Sequence, residues 1–233
     1  MVPVDTPART ERFQDLVDRA RGLAQGRRRT VLGIAGSPGA GKTTLAVALV
    51  RALAATPPDG LGPEWVAHVP VDGFHLADVE LERLGLRDRK GAPDTFDADG
   101  YTALLTRLRR IPADDAGPVY APAFDREIEQ PVAGSVPVHA VCRLVVSEGN
   151  YLLLDEPRWR AARAGCDEVW FHETDEALRL ERLVARHIRF GRTPEAARAW
   201  VEHTDEPNAR LVEASRPRAD LVAAPGVVPG VLP

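Results

Sequence analysis

Apolar positions along the chain follow two alternating rhythms, and each change of rhythm marks an element. Thr10 to Gln25 carries Phe13, Leu16, Val17, Ala20 and Leu23 at helical spacing with charged residues between them. That spacing predicts an amphipathic helix at 10–26, packed on the rest of the chain. TVLGIA at Thr30–Ala35 is a short continuous apolar run, as a buried strand requires, and Lys42 to Ala54 predicts a helix that TPPDG ends. EWVAHVPVD predicts the next strand, with Asp72 at its end. LADVELERLG and ADGYTALLTRLRRI predict helices, with RDRKGAPDTFD as the loop between them. CRLVVSEG and DEVWFHE predict strands, followed by the helix TDEALRLERLVARHI, the helical stretch TPEAARAWVEH and a last strand in ADLVAA.

Strands that alternate with helices imply an α/β domain whose mostly parallel sheet is covered by helices on both faces. The pattern gives a single domain over 1–233. Residues 112–140 fit the alternation least, being rich in Pro and Gly, and predict a hairpin or long loop over a site rather than a linker. PGVVPGVLP, 225–233, reads as a loose tail, and no internal repeat is visible.

Composition narrows the classes. With 44% hydrophobic and 27% charged residues over 233 positions, the chain can bury a full core without disulfides or metals. A formal net charge of −4 gives no basic field for nucleic acid or anionic lipid. Cys142 and Cys166 have no metal-ligand or CxxC spacing, which suits a reducing, cytoplasmic location. No run of about 20 apolar residues suggests a membrane span. Of 30 basic residues only Lys42 and Lys90 are lysines, so the compact ammonium is kept at two positions.

Lys42 sits in GSPGAGKTT, Gly36 to Thr44, which fits G-x-x-x-x-G-K-[ST] between a strand and a helix. Glycines let the backbone curl so that successive N–H groups point at phosphate oxygens, and the helix N-terminus adds its positive dipole end. Gly36, Ser37, Gly39, Ala40, Gly41, Lys42, Thr43 and Thr44 are the candidate nucleotide contacts. Lys42 would reach the β- and γ-phosphates and the Thr43 hydroxyl would ligate Mg2+. The loop speaks for triphosphate binding and is silent about how the energy is used. In an open α/β sheet, ligands gather beyond the carboxyl ends of the strands, so Asp72 and Glu148 can converge on the same site. Each also reads as a turn former before a glycine, Gly73 or Gly149.

These segments resemble the P-loop small-molecule kinases that include uridine kinase, pantothenate kinase and phosphoribulokinase. Within them the nearest likeness is to a bacterial nucleoside or nucleotide kinase-like branch, also described as fructose transport system kinase-like. VDGFHL is similar to the strand end carrying that superfamily's catalytic Asp, here Asp72. RKGAPDTFD resembles the Arg-Lys-Gly segment followed by a Pro and a Phe/Tyr-Asp pair in pantothenate kinase, YAPAFDRE the family's substrate-side segment, and SEGNYLLLD the Glu-Gly strand end that replaces the usual Walker B Asp, here Glu148, a candidate magnesium ligand. EHTDEPNARLVEASRPRADLV is similar to the segment after the lid, including Asn208 at the nucleotide. The likeness runs from Arg12 to Val222 and implies a P-loop NTPase three-layer sandwich with a lid at 186–193. ATP and Mg2+ would be the cofactors, and a small molecule bearing a hydroxyl the acceptor, with no nucleic acid or membrane partner and a homodimer left open.

Phosphoryl transfer asks mainly for positioning and for neutralisation of the moving charge. Asp72 would orient the acceptor hydroxyl, and Arg186, Arg189 or Arg192 in RHIRFGRTPEAA would cover the transferred group. His75, Lys90, Asp94, Asp125, Arg126 and Tyr151 are the candidate acceptor contacts; each also has a plain role as surface charge, cap or core. A regulatory ATPase or switch without a small acceptor is the competing class. The chain has no N-K-x-D guanine-reading sequence to favour it.

Overall fold

The computed structural model describes residues 8–10, 12–26, 28–110 and 117–228. In chain order the strands are β1 Ala8–Thr10, β2 Thr30–Ala35, β3 Val66–Pro70, β4 Val119–Asp125, β5 Gln130–Val138, β6 Leu144–Glu148, β7 Glu168–His172 and β8 Leu221–Ala223. The α-helices are α1 Phe13–Leu23, α2 Lys42–Ala55, α3 Asp78–Leu84, α4 Ala98–Arg110, α5 Pro157–Ala164, α6 Glu176–Arg189, α7 Pro194–Trp200 and α8 Glu206–Ser215.

Among the described residues the main sheet has six parallel strands in the order β1-β8-β7-β2-β6-β3. Every residue of β2 is buried, the mark of a central strand covered on both faces. Its side chains divide by the two-residue strand period. Leu32 and Ile34 face a cluster with Leu45 and Leu49 of α2 and Leu16 of α1; Val31 and Ala35 face the opposite cluster with Leu105, Trp159 and Val212 of α4, α5 and α8. These are the three expected layers. Each fully buried leucine contributes roughly 1.5–3 kcal/mol over an exposed one, so the two clusters fix the sheet that carries the site.

The segment rich in Pro and Gly forms the antiparallel hairpin β4–β5, whose register shifts between Ala121 and Ala123. Residues 112–116, the start of the stretch assigned to it from sequence, lie outside the described residues. Three boundaries differ from the sequence reading. The first helix occupies Phe13–Leu23 only, while Ala8–Thr10 adds a parallel edge strand beside β8, too short to show any hydrophobic period. β3 stops at Pro70, which has no N–H to continue the ladder, so Asp72 lies on a 3-10 turn, Val71–Phe74, past the strand end. The tail read as loose is packed at its start, with Val227 buried; 229–233 lie outside the described residues. Helices α5 and α8 also went unread, because their apolar positions are few and short-spaced.

Candidate functional site

The central strand β2 runs straight into the glycine loop, and α2 begins at Lys42. Gly41 precedes that helix in the left-handed region, at φ 91°, and no side chain caps it. The first-turn N–H groups therefore face the loop, an arrangement suited to an anion. Gly39, at φ 80°, lies so close to α6 that a Cβ there would sit 2.7 Å from Leu183 Cγ and 3.0 Å from the Arg179 carbonyl. The loop is thus wedged between its own helix and α6. Lys42 is buried and donates to the Ser37 carbonyl at 3.1 Å. Burial drives its pKa down to about 8, against the pull of Glu148 and Asp72 and with added repulsion from Arg186 and Arg126. Ser37 Oγ donates to Glu213 of α8 at 2.6 Å, which ties the loop to the far layer.

Two neighbouring strand ends bring carboxylates to this loop. Glu148, buried at the end of β6, accepts a hydrogen bond from Thr43 Oγ1 at 3.1 Å, with His68 Nε2 at 3.7 Å from the same oxygen. A hydroxyl and a carboxylate side by side at a phosphate loop form a hard-oxygen donor set of the kind magnesium takes. Asp72 accepts from Arg126 at 2.5 Å. Burial pushes Asp72 upward, but His75, Arg126, Lys42 and Arg186 together hold it below the usual carboxylate range, so it is ionised. Next to it, Gly73 cannot carry a side chain: a Cβ there would overlap the Pro122 backbone of the hairpin. The glycine therefore serves a close approach, which brings β4 against the turn that bears Asp72.

The cleft between these elements holds about 500 Å³. The loop lines one end with Gly39, Gly41, Lys42, Thr43 and Thr44; Glu148 and Asp72 line the floor. His75, Lys90 and Arg126 line the cleft as well, at the end of the turn after β3, in the loop before α4 and on the β4–β5 hairpin turn. His75 Nδ1 lies 2.8 Å from the Asp72 carbonyl and its ring packs on Phe96 and Phe124; burial lowers its pKa, which leaves the imidazole neutral near pH 7. Arg186 and Arg192 close the cleft from the α6 side. Burial, then repulsion from Arg126, lowers the pKa of Arg186. Arg192 stacks on Trp200, 3.9 Å from the ring centroid. A smaller cavity of about 170 Å³ adjoins the loop, shares Gly41, Thr44 and Arg182 with the cleft, and is closed by His172, Pro225 and Val227.

Several sequence candidates stand elsewhere. Arg189 is exposed on the last turn of α6, near Phe190. Asp94 is 48% exposed and pairs with Arg89. Asp125 caps the hairpin turn, accepting from the Glu127 and Ile128 N–H groups at 2.8 and 3.3 Å. Tyr151 is buried against Phe96 and Trp159 and donates its hydroxyl to the Gly91 carbonyl, so it braces the loop before the site instead of lining it. Asn208 is buried on α8 and is absent from the cleft lining. Ser37 and Ala40 likewise support the loop from beneath, and Ala40 borders the smaller cavity.

Sequence reasoning missed Asn150, Arg87, Glu129, Arg182, His187 and Asp205, which all line the cleft. Asn150 had a signal, two places after Glu148. The partnership of His187 Nε2 with Asp205 Oδ2, 2.8 Å apart, joins two helices and leaves no trace in linear spacing.

No protein-family model matches the chain. It is 33% identical over 225 residues to a uridine kinase-like protein of Schizosaccharomyces pombe, C227.14, covering 94% of this chain and 92% of that one. With YggC of Escherichia coli the identity is 35% over 84% of this chain and 77% of its relative. Among solved structures, a fructose transport system kinase-like protein of Silicibacter sp. TM1040 superposes with a TM-score of 0.76 at 38% identity, covering 89% of this chain and 98% of the other. YFH7 of Saccharomyces cerevisiae shares the fold, with a TM-score of 0.74 at 17% identity over 91% of this chain and 98% of YFH7.

Proposed function

The chain belongs to the P-loop small-molecule kinases related to uridine kinase, a family of ATP-dependent phosphoryl transfer, and from that premise we propose that it moves the γ-phosphoryl group of ATP to a hydroxyl of a small molecule. The observation that carries this reading is the position of Asp72. Its ionised carboxylate shares one cleft with the Lys42 ammonium and is near enough for the two charges to act on each other, so an acceptor hydroxyl held by Asp72 would sit beside the group that Lys42 holds.

The division of labour follows from charge and placement. The loop amides and Lys42 hold the triphosphate, and the base lies in the smaller cavity beyond Thr44, between His172 and the 225–228 turn. His172 is neutral there, its pKa pushed down to about 4 by burial and then by Lys42, so it adds no charge beside the base. Thr43 and Glu148 would hold magnesium, which when bound neutralises phosphate charge. Asp72 accepts a hydrogen bond from the hydroxyl and orients it in line with the phosphoryl group; a loose transition state asks little more of a base. Arg186 faces the charge that grows on the moving group, and its half-buried place in the cleft strengthens that interaction. The acceptor class runs over nucleosides, sugars and pantothenate-like alcohols.

The test is to incubate the full chain with MgATP and a panel of such alcohols, following ADP and the mass of the product. The reading predicts ADP formation that rises with one class of acceptor and a product heavier by one phosphoryl group. ATP hydrolysis that no acceptor changes would favour a regulatory ATPase.

A further inference from the structure

The acceptor end of the cleft is built from cations, and one of their pairings, Arg126 with Asp72, joins a cation to the residue assigned to the acceptor hydroxyl. Lys90, one of the two lysines in the chain, is 9% exposed and donates to Asp78 Oδ1 at 2.6 Å and to the Glu129 carbonyl at 2.5 Å. An ammonium has three donors, so these two bonds leave one for a cleft ligand. Its carboxylate is shared, since Arg87 pairs with the other oxygen of Asp78 at 2.7 Å. Two cations thus divide one negative charge.

Arg126 extends the same positive surface from the hairpin turn. Lys90 and Arg126 lie 5.3 and 4.7 Å from the centroid of the Phe124 ring, so this one aromatic side chain sets both heads toward the acceptor space. The hydrogen bond of Arg126 goes to Asp72, the residue assigned to the acceptor hydroxyl. The pair is 39% and 27% exposed, accessible enough to exchange partners. Arg126 holds only Oδ2 of Asp72, and where a hydroxyl competes for that oxygen Arg126 loses a charge-assisted bond. A neutral alcohol has nothing of equal strength to offer it, whereas a carboxylate or phosphate does. Glu129 also lines the cleft and its charge acts on Arg186; Lys90 meets the Glu129 backbone carbonyl, not its carboxylate, and the surface keeps two cations, Lys90 and Arg126, for an incoming anion.

Resting on the kinase reading above, we propose that the acceptor is an anionic alcohol, with a carboxylate or phosphate held by Lys90 and Arg126 while its hydroxyl meets Asp72. Binding of that anionic group is what releases Asp72 from Arg126, so recognition of charge and exposure of the hydroxyl-orienting carboxylate are one event. Neutral alcohols of the same skeleton leave the pair closed.

The experiment measures binding by calorimetry to the full chain loaded with MgADP, using glycerate, glycerol 3-phosphate and glycerol at constant ionic strength. Tighter binding of one or both anions than of glycerol, by about tenfold or more, is expected. Glycerate alone points to a carboxylate acceptor and glycerol 3-phosphate alone to a phosphate ester. Lys90→Met and Arg126→Gln should each weaken the bound anion about tenfold with MgADP affinity unchanged, and Arg126→Lys should restore part of the loss. Glycerol binding as well as the anions, or anion binding that falls with Lys42→Met and not with Lys90→Met, would overturn the proposal. Transfer to neutral alcohols without anion binding would overturn it and leave the kinase reading standing; anion binding without transfer to any bound alcohol would count against the kinase reading alone.

Discussion

Lys42 shows how a functional residue costs stability. Burial takes its pKa from the ordinary 10.5 down to about 8, which at 1.36 kcal/mol per pKa unit is on the order of 3 kcal/mol against folding. Between about pH 8 and 10.5 the unfolded chain binds more protons at this position than the folded one, so this contribution makes stability rise with pH across that window. Lys42→Met is therefore expected to abolish transfer while raising the unliganded melting temperature by roughly 3–10 °C at pH 7. That advantage should shrink toward pH 10.5. Thermal melts of both proteins across pH check it, and a variant that melts lower than the parent at pH 7 would contradict the burial argument. Asp72→Asn keeps shape and removes charge; about 10² to 10³ in turnover should be lost, with ATP affinity little changed. Turnover and nucleotide binding measured on that variant decide it, since unchanged turnover takes Asp72 out of the mechanism.

Legibility was highest where one residue type fits one backbone job. The Gly36 to Thr44 loop could be read directly, because its glycines, lysine and hydroxyl occupy fixed offsets between a strand and a helix. Glu148 was legible as a strand-end carboxylate, whereas Asp72, read the same way, lies on the 3-10 turn just past its strand. What stayed hidden was direction. Asp125 and Arg126 are neighbours in sequence, yet the hairpin turn sends the first to cap its own backbone and the second into the cleft. Linear spacing carries no record of such a turn. The pairing of His187 with Asp205 was equally invisible, since it depends on how two helices pack.

At the scale of elements, α6 does two things. Its middle packs on the phosphate loop at Gly39, and its last turns bring Arg186 over the cleft while Arg189 faces solvent. Gly39→Ala adds a methyl group where Leu183 and the Arg179 carbonyl stand, at a backbone angle that disfavours any side chain. It should cost about 1–3 kcal/mol in stability and weaken ATP binding, as chemical denaturation and nucleotide titration will register. Arg186→Ala should lower turnover about 10²-fold or more and ATP affinity much less, because the charge it meets grows during transfer. Arg189→Ala should change turnover less than about twofold. Steady-state kinetics on the two variants read this directly, and equal effects would place the lid contact elsewhere. The sequence marked this arginine run but not its inward and outward members, which the helix rotation separates.

Across the whole molecule, six parallel strands carry the phosphate loop, Glu148 and the turn bearing Asp72 to one edge, and the hairpin and α6 wall the space above them. The alternating pattern of the sequence was enough to foresee the layers, since strands buried on both faces must be covered by helices. The stretch that breaks the alternation reads as a hairpin or long loop over a site, and β4–β5 is that hairpin; its weak pattern does not tell which of its side chains line the cleft. No described helix is long and apolar enough to cross a membrane. The central claim is that this edge transfers a phosphoryl group to an alcohol and does not spend it on water. The most direct measurement follows an isotopically labelled γ-phosphoryl group from ATP through a single turnover with the full chain, magnesium and an acceptor from the responsive class. The account predicts label in an organic phosphate monoester, in amounts equal to the ADP formed; label recovered as inorganic phosphate at the same rate with and without acceptor would contradict it.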